Sequence, residues 1–191
     1  ICISGYPWGD LNNVKDELLK NPAIEMVTWG NTIPTLGMNM TTEWKEDDNR
    51  TMAASYTFEP DYLNVYKIGL REGRFFSSSI TADREGHNIV INQEAAIELG
   101  YDDPLHRTVM VSGKQYTIIG VVDQYMAFPP IFNPIPMLIR YSSPQNHYLI
   151  VRVDPNSRAE AHRYITQTLR GFNSEYPIDI QYHQQILDGT K

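Results

Sequence analysis

The same order of elements, strand–helix–strand, occurs at both ends of this 191-residue chain, and this repeat restricts its fold more than any other feature. At the N-terminal end, residues 1–4 and 24–29 have the apolar and β-branched composition of strands. Asp10, between them, is a good helix N-cap. The apolar residues after Asp10 recur at helical spacing: Leu11, Val14, Leu18 and Leu19.

The C-terminal end has the same plan. Residues 148–153 alternate like a strand, Ser157 is placed to cap a helix, and residues 178–182 alternate as a last strand. The apolar face of that helix comprises Ala161, Tyr164, Ile165, Thr168, Leu169 and Phe172. Two such units can share one sheet with the middle of the chain inserted between them, so we predict an α+β fold.

The middle of the chain is organised around residues 88–122. A strand at 88–91 is followed by a helix at 94–99, which Asn92 caps and Gly100 ends. Ser112-Gly113-Lys114 then predicts a tight hairpin between two further strands. None of these residues is chemically reactive, which indicates a structural role.

Residues 58–76 contain the basic side chain with the clearest alternatives. Pro60 opens a helical turn, and Gly73 is expected to adopt a backbone angle that other residues avoid. Arg74 either binds an anion or pairs with a carboxylate. We predict the ion pair, because no glycine-rich phosphate cradle accompanies it. The residues that follow, 77–86, are predicted to form a polar loop.

Composition excludes several functions. The net charge of −7 argues against nucleic acid, and no polybasic patch is present for anionic lipid. The single cysteine, Cys2, rules out an internal disulfide framework and is expected to be a buried apolar residue of a strand. Neither an initiating Met, nor a signal peptide, nor an apolar run long enough to span a bilayer is present, so we expect a piece of a longer protein.

No catalytic, cofactor or metal site is predicted. The five histidines fall in different elements and lack the short spacing of metal ligands. The chain has neither a nucleophile elbow nor a P-loop. An enzyme with a pair of carboxylates brought together by folding remains an alternative, because sequence does not reveal spatial neighbours.

A proline-rich stretch follows the central segment and is the candidate contact region. Residues 128–136 contain four prolines, which favour an extended chain. The stretch either exposes its apolar residues to a partner or folds back over the sheet as a lid. The candidates for contact with a partner or substrate are Tyr125, Met126, Phe128, Ile131 and Phe132.

Three motifs, in order, resemble the MacB-like periplasmic core domain, the extracytoplasmic domain of MacB-like and FtsX-like ABC transporter permeases. Residues 58–66 followed by 70–76 resemble its "DY…v…l..GR.F" signature, residues 88–96 its "vvvine.aa" segment, and residues 116–123 its "y.IiGVv.D" strand. The resemblance implies a porter-like subdomain built from both chain ends, 1–33 and 145–191. A smaller mixed α/β subdomain, Sabre-like, would be inserted at 34–144.

The resemblance also implies a function. The domain would lie on the periplasmic side of the inner membrane, with a transmembrane helix before it and three after it. A cytoplasmic ABC ATPase, fused or separate, would bind ATP and magnesium, and a second permease copy would complete a dimer. ATP hydrolysis would drive periplasmic motion, called mechanotransmission, for efflux, for lipoprotein or peptide export, or for regulation of a periplasmic protein partner.

We expect residues 123–136 and 30–49 to move and to contact that partner or the cargo. The proline-rich residues 128–136 depart from the adaptor-dependent exporters of the family, so the resemblance does not extend to their adaptor. The rival interpretation is a periplasmic ligand-binding or sensor domain, which would need a concave pocket with convergent polar groups.

Overall fold

The computed structural model describes residues 1–3, 9–33, 41–46, 49–123, 135–142 and 148–182. In chain order, its strands are β1 (Cys2–Ile3), β2 (Ile24–Gly30), β3 (Thr41–Glu46), β4 (Asn49–Phe58), β5 (Leu70–Gly73), β6 (Asn88–Asn92), β7 (Thr108–Val111), β8 (Lys114–Val122), β9 (Met137–Tyr141), β10 (Tyr148–Val153) and β11 (Ile180–Gln181). The helices are α1 (Leu11–Leu18), α2 (Tyr62–Tyr66), α3 (Thr81–Arg84), α4 (Gln93–Glu98) and α5 (Arg158–Phe172). In these described ranges, no helix has the length and apolar character needed to cross a membrane.

The chain divides into two compact units. The end unit comprises residues 1–33 and 144–191, and the inserted unit comprises residues 34–143. The inserted unit is the longer one, with 110 residues against 33 and 48 in the two end segments. The family resemblance had suggested a smaller insertion, and that detail is wrong. The mixture of helices and sheets confirms the predicted α+β class.

The end unit has one antiparallel sheet in the order β11-β1-β10-β2. β10 lies between β1 and β2, and β1 lies between β10 and β11. Each strand–helix–strand unit is therefore split by a strand of the other, as in ferredoxin-like folds. The two ends of the chain share one sheet, as the sequence predicted.

Both long helices pack on the core of this sheet. The buried residues of α1 (Leu11, Val14, Leu18) and of α5 (Ala161, Ile165, Leu169) belong to one apolar cluster. Asp10 caps α1 as predicted, because its Oδ1 accepts the backbone N–H of Asn12 at 2.9 Å. Ser157 does not cap α5. Its hydroxyl instead donates to Asp154 Oδ2 at 3.1 Å.

Cys2 is a buried residue of β1, which confirms its expected role. Burial raises the pKa of its thiol to about 12, so the thiol stays protonated and is a poor nucleophile. The nearby carboxylate of Asp179 acts in the same direction.

In the inserted unit, six strands form a closed ring. The hydrogen-bonded order is β4-β3-β7-β8-β6-β9, and β9 also pairs with β4. The β4–β9 and β6–β8 pairs are parallel, and the other pairs are antiparallel. β5 adds to the edge of β8 beyond the point where β7 ends.

The predicted central segment has the expected structure within this ring. Asn92 caps α4, and Gly100 follows the helix with a φ of +70°. Ser112 and Gly113, both with positive φ, connect β7 to β8 in a two-residue hairpin. Two elements were missed: β5, and the helix α3 within residues 77–86, which were predicted to be a polar loop.

Candidate functional site

The candidate contact residues Tyr125, Met126, Phe128, Ile131 and Phe132 fall in residues 124–134, outside the described part of the chain, so their role stays a prediction. The residues on either side of that stretch are described. They form the loop base, the site where the contact segment starts and ends: Gly69, Arg71, Asn92, Asp123, Ile135, Pro136 and Met137.

Sheet topology brings the two ends of the contact segment to one place. β8 runs parallel to β6, and Val122 pairs with Asn92, the last residue of β6. β9 runs antiparallel to β6 on its other edge, where Leu138 pairs with Ile91. The end of β8 lies on one edge of β6 and the start of β9 lies on its other edge, both next to the C-terminal end of β6.

Asn92 makes the main connection in the loop base. Its side chain is fully buried. Its Oδ1 accepts the backbone N–H of Ala95 at 3.0 Å and that of Met137 at 2.8 Å. Its Nδ2 donates to Ile135 O and to Glu94 Oε2, both at 2.8 Å. One amide thus caps α4 and also holds the residues that return from the contact segment.

The returning residues are held from a second strand as well. The backbone N–H of Ala54, in β4, donates to Pro136 O at 2.9 Å. The β4–β9 ladder then starts at once, with Ala54 opposite Met137. The backbone of residues 135–137 is therefore fixed from β4 and from Asn92 at the end of β6.

The start of the contact segment is held at Asp123. The Asp123 N–H donates to Gly69 O at 2.8 Å, and its carboxylate pairs with Arg71 Nε. Both side chains are half exposed, so the ion pair contributes only about 0–1 kcal/mol. A Cβ on Gly69 would lie 2.0 Å from Asp123 Oδ2, so a larger residue there would displace the Asp123 carboxylate.

Two motif glycines allow β5 and β8 to approach each other closely next to the loop base. Gly73 has a φ of +70°, and a Cβ on it would lie 2.3 Å from Ile119 O. A Cβ on Gly120 would lie 2.2 Å from Arg74 O. The contact lets the Arg74 N–H donate to Ile119 O at 3.0 Å. Both glycines are thus explained by backbone packing.

Arg74 pairs with a carboxylate, which confirms the predicted ion pair. Its Nη1 lies 2.7 Å from Asp83 Oδ2, and its Nη2 lies 3.1 Å from Asp83 Oδ1. Asp83 lies in α3, and its carboxylate is fully buried. It also accepts the Ser77 N–H at 2.9 Å and Asn88 Nδ2 at 2.6 Å.

The ionisation of Asp83 reflects a balance of two effects. Burial, the largest effect, raises the pKa of its carboxyl. The hydrogen bonds from Arg74, Asn88 and Ser77 together outweigh burial, so the pKa lies below its usual value. The Asp83 carboxylate is therefore charged at neutral pH. It pairs with Arg74, directly after β5, and with Asn88 in β6, and so holds α3 against both strands.

The described residues of the loop base are joined by backbone and side-chain hydrogen bonds. In those residues, no three side chains of His, Cys, Asp or Glu come close enough together to hold a metal ion. The sequence had identified Asn92 only as a helix cap. It missed Asp83, whose four short contacts come from residues five to nine positions away.

Comparison with known proteins is consistent with this geometry. Residues 4–168 match the family described as the MacB-like periplasmic core domain. The fold resembles the periplasmic region of MacB from Actinobacillus actinomycetemcomitans (TM-score 0.70, 16% identity), and the match covers 99% of this chain and 90% of that one. No curated protein sequence gives a significant match.

A second similar structure is the extracellular domain of the noncanonic ABC-type transporter YknZ from Gram-positive bacteria. Its TM-score is 0.65 at 15% identity, and the match covers 91% of this chain and 87% of that chain. At this level of identity, both structures establish the fold and not a shared substrate or partner.

Replacing Asn92 tests whether it holds the contact segment as well as α4. Asn92→Ala leaves the N–H groups of Ala95 and Met137 buried without an acceptor, so we expect a loss of about 2–4 kcal/mol in the free energy of unfolding. Urea unfolding of wild type and variant measures this loss in the free energy of unfolding. The control, Asp10→Ala, removes an exposed cap and should cost about 1 kcal/mol. Equal losses in the two variants would mean that Asn92 acts only as a cap.

Replacing Asp83 tests the buried ion pair and its pH dependence. We expect Asp83→Asn to cost about 1–3 kcal/mol at pH 7, less than a fully buried pair because Arg74 is 41% exposed. The pKa of Asp83 is lowered by folding, so its contribution is present above the unfolded value of about 3.9 and is lost below it.

The measurement is urea unfolding of both proteins between pH 7 and pH 3. The difference between wild type and Asp83→Asn should stay constant down to about pH 4 and then shrink. The exposed control, Asp102→Asn, should change stability by less than about 0.5 kcal/mol. A difference that already shrinks between pH 7 and pH 5 would contradict the lowered pKa.

Proposed function

We propose a function from one established premise: this chain belongs to the MacB-like periplasmic core domain family. It is therefore an extracytoplasmic domain of an ABC transporter permease. Such a permease works with an ATPase and a second permease copy. We infer that this domain transmits ATP-driven movement from the membrane to the extracytoplasmic side, and that residues 124–134 contact a partner protein or the cargo.

One observation carries the proposal: the end unit has its two kinds of connection at opposite ends of one sheet. β1 begins and β11 ends side by side, since Cys2 pairs with Gln181. β2 ends and β10 begins side by side at the other end, since Gly30 pairs with Tyr148. The first pair leads to the flanking chain, and the second pair leads to the inserted unit.

This arrangement suits transmission of displacement. Along β10, Val151 is bonded to Ile1, and Tyr148, where the strand begins, lies about 10 Å away at ~3.3 Å per residue. The ladder between β2 and β10 contains six residue pairs, and two helices pack on the sheet. A displacement of the flanking segments would therefore move the sheet as a body, which is a hinge-type transition.

The loop base gives the inserted unit a matching role. Asn92 and Ala54 fix the backbone of residues 135–137, and Gly69 holds Asp123. A contact segment with both ends fixed follows every movement of the unit that carries it. ATP and magnesium would bind at the cytoplasmic ATPase, and this domain needs no cofactor for the role.

Distance measurements in the full-length transporter test the proposal. Spin labels are placed on exposed residues of the two units, at Asn13→Cys and Asp102→Cys, with Cys2→Ala to remove the native thiol. We expect the distance to change by at least about 3 Å between the nucleotide-free and ATP-bound states. A control pair within the end unit, Asn13→Cys and Ala159→Cys, should not change. Identical distances for the first pair in both states would contradict transmission.

A ligand-binding role is the second candidate, and one groove favours it. The groove has a volume of about 600 Å³ and lies between α5 and the chain that leads to β11. His162, Thr166 and Arg170 line its helix side at a spacing of four residues, and Glu175 and Asp179 line the other side. Small-molecule sites of this size are mostly apolar, whereas this lining is mostly polar, which favours the transport role.

Thermal unfolding separates the two candidates. A small ligand that binds the folded domain raises its melting temperature by mass action. We expect free amino acids and sugars at millimolar concentration to shift the melting temperature by less than about 1 °C. A rise of several degrees that Arg170→Ala abolishes would support a binding domain and contradict our preference.

A further inference from the structure

Among the described residues, β1 and β11 form a ladder of only two residue pairs at the edge of the end-unit sheet. Cys2 pairs with Gln181 and Ile3 with Ile180, and the ladder has no further residue pairs. We define these four residues as the clasp. The ladder between β10 and β2, by comparison, contains six pairs.

The other edge of β1 has the same number of ladder pairs among the described residues, and hydrogen bonding between Ile1 and Val151 adds to them. Cys2 and Ile3 pair with Ile150 and Leu149, and the Val151 N–H donates to Ile1 O at 2.9 Å. β10 is itself a central strand, bonded to β2 on its far side. We therefore expect β1 to separate from β11 before it separates from β10.

The side chains of β11 are only partly buried. Gln181 is exposed and Ile180 is only half-buried. Tyr176 and Ile178, just before the strand, also pack only partly on the core. After the strand, the Tyr182 hydroxyl lies 3.2 Å from His162 Nδ1, at an exposed position. Weakly buried edge segments are the first to open in native proteins.

The direction of loading makes the clasp weaker still. β1 and β11 are antiparallel, so the chain that enters at Ile1 and the chain that leaves at Tyr182 lie at the same end of the pair. Moving these two segments apart loads the hydrogen bonds one after another, starting at that end. Such loading opens a ladder at a lower force than sliding the strands, which loads all the bonds together.

We propose that the clasp is a force-sensitive switch: it opens when the flanking segments separate and closes when they approach, while β1, β10 and β2 stay paired. This inference rests on the proposed function for the origin of the force. The weak pairing itself does not depend on that function, so the two can be tested separately.

Amide hydrogen exchange on this chain tests the pairing first. We expect residues 178–182 to exchange at least 100-fold faster than residues 148–153 under native conditions. Gln181→Cys supplies a partner for Cys2, and directly opposite residues are within reach of a disulfide. Oxidation should slow exchange in β11 at least tenfold. Equal exchange of β11 and β10, at the rate of global unfolding, would overturn the proposal.

Disulfide formation in the full-length transporter tests the switch. All other cysteines are removed, and the rate of crosslinking between Cys2 and Gln181→Cys is measured with and without ATP. We expect the rates to differ at least fivefold. The control is Ile150→Cys, opposite Cys2 on the other edge of β1, whose rate should change less than twofold.

The outcomes separate the two proposals. Equal crosslinking rates with and without ATP, together with a shift in the spin-label distances, would overturn the switch and leave the proposed function standing. Equal rates with no distance shift would overturn both. If ATP changes the crosslinking rate of Ile150→Cys as much as that of Gln181→Cys, the switch is also overturned, because β1 would then separate from both neighbours.

Discussion

The pairing of β1 with β10 is the interaction on which the end unit depends. It joins Ile1 to Val151, which are 150 positions apart, and encloses the whole inserted unit. Closing a flexible loop of that length costs about 4–5 kcal/mol in chain entropy before any constant term. The inserted unit reduces this cost, because it folds as a compact body of its own. Once β10 is in place, it fixes the order of the other strands.

In the proposed function, the same pairing determines where movement would enter and leave the end unit. With β10 next to β1, the flanking chain attaches at one end of the sheet and the insertion at the other. Covalent linkage at both ends and stiff ladders between them are what a transmitting domain needs, and neither requires a reactive side chain. In the inserted unit, Asn92 and Asp83 have the corresponding task of keeping loops and short helices in register with the strands.

Local patterns in the sequence predicted most strands and helices, because periodicity and capping act over a few residues. The split arrangement of the end unit could be predicted only as a shared sheet, since strand order depends on pairings about 150 residues apart. Asp83 escaped prediction because α3 has only four residues and no apolar repeat. Asn92 also holds the backbone of Ile135 and Met137, 43 and 45 positions away, and a local sequence motif does not reveal contacts at that separation. The contact role of residues 124–134 is still a prediction.

Structures of the full-length transporter in the nucleotide-free and ATP-bound states would test the central claim most directly. The account predicts that β1, β10 and β2 superpose between the two states with the Gly30–Tyr148 pairing unchanged, while the inserted unit moves relative to them and to the membrane. A sheet that rearranges its strand register, or an inserted unit that keeps one position in both states, would contradict transmission through the end unit.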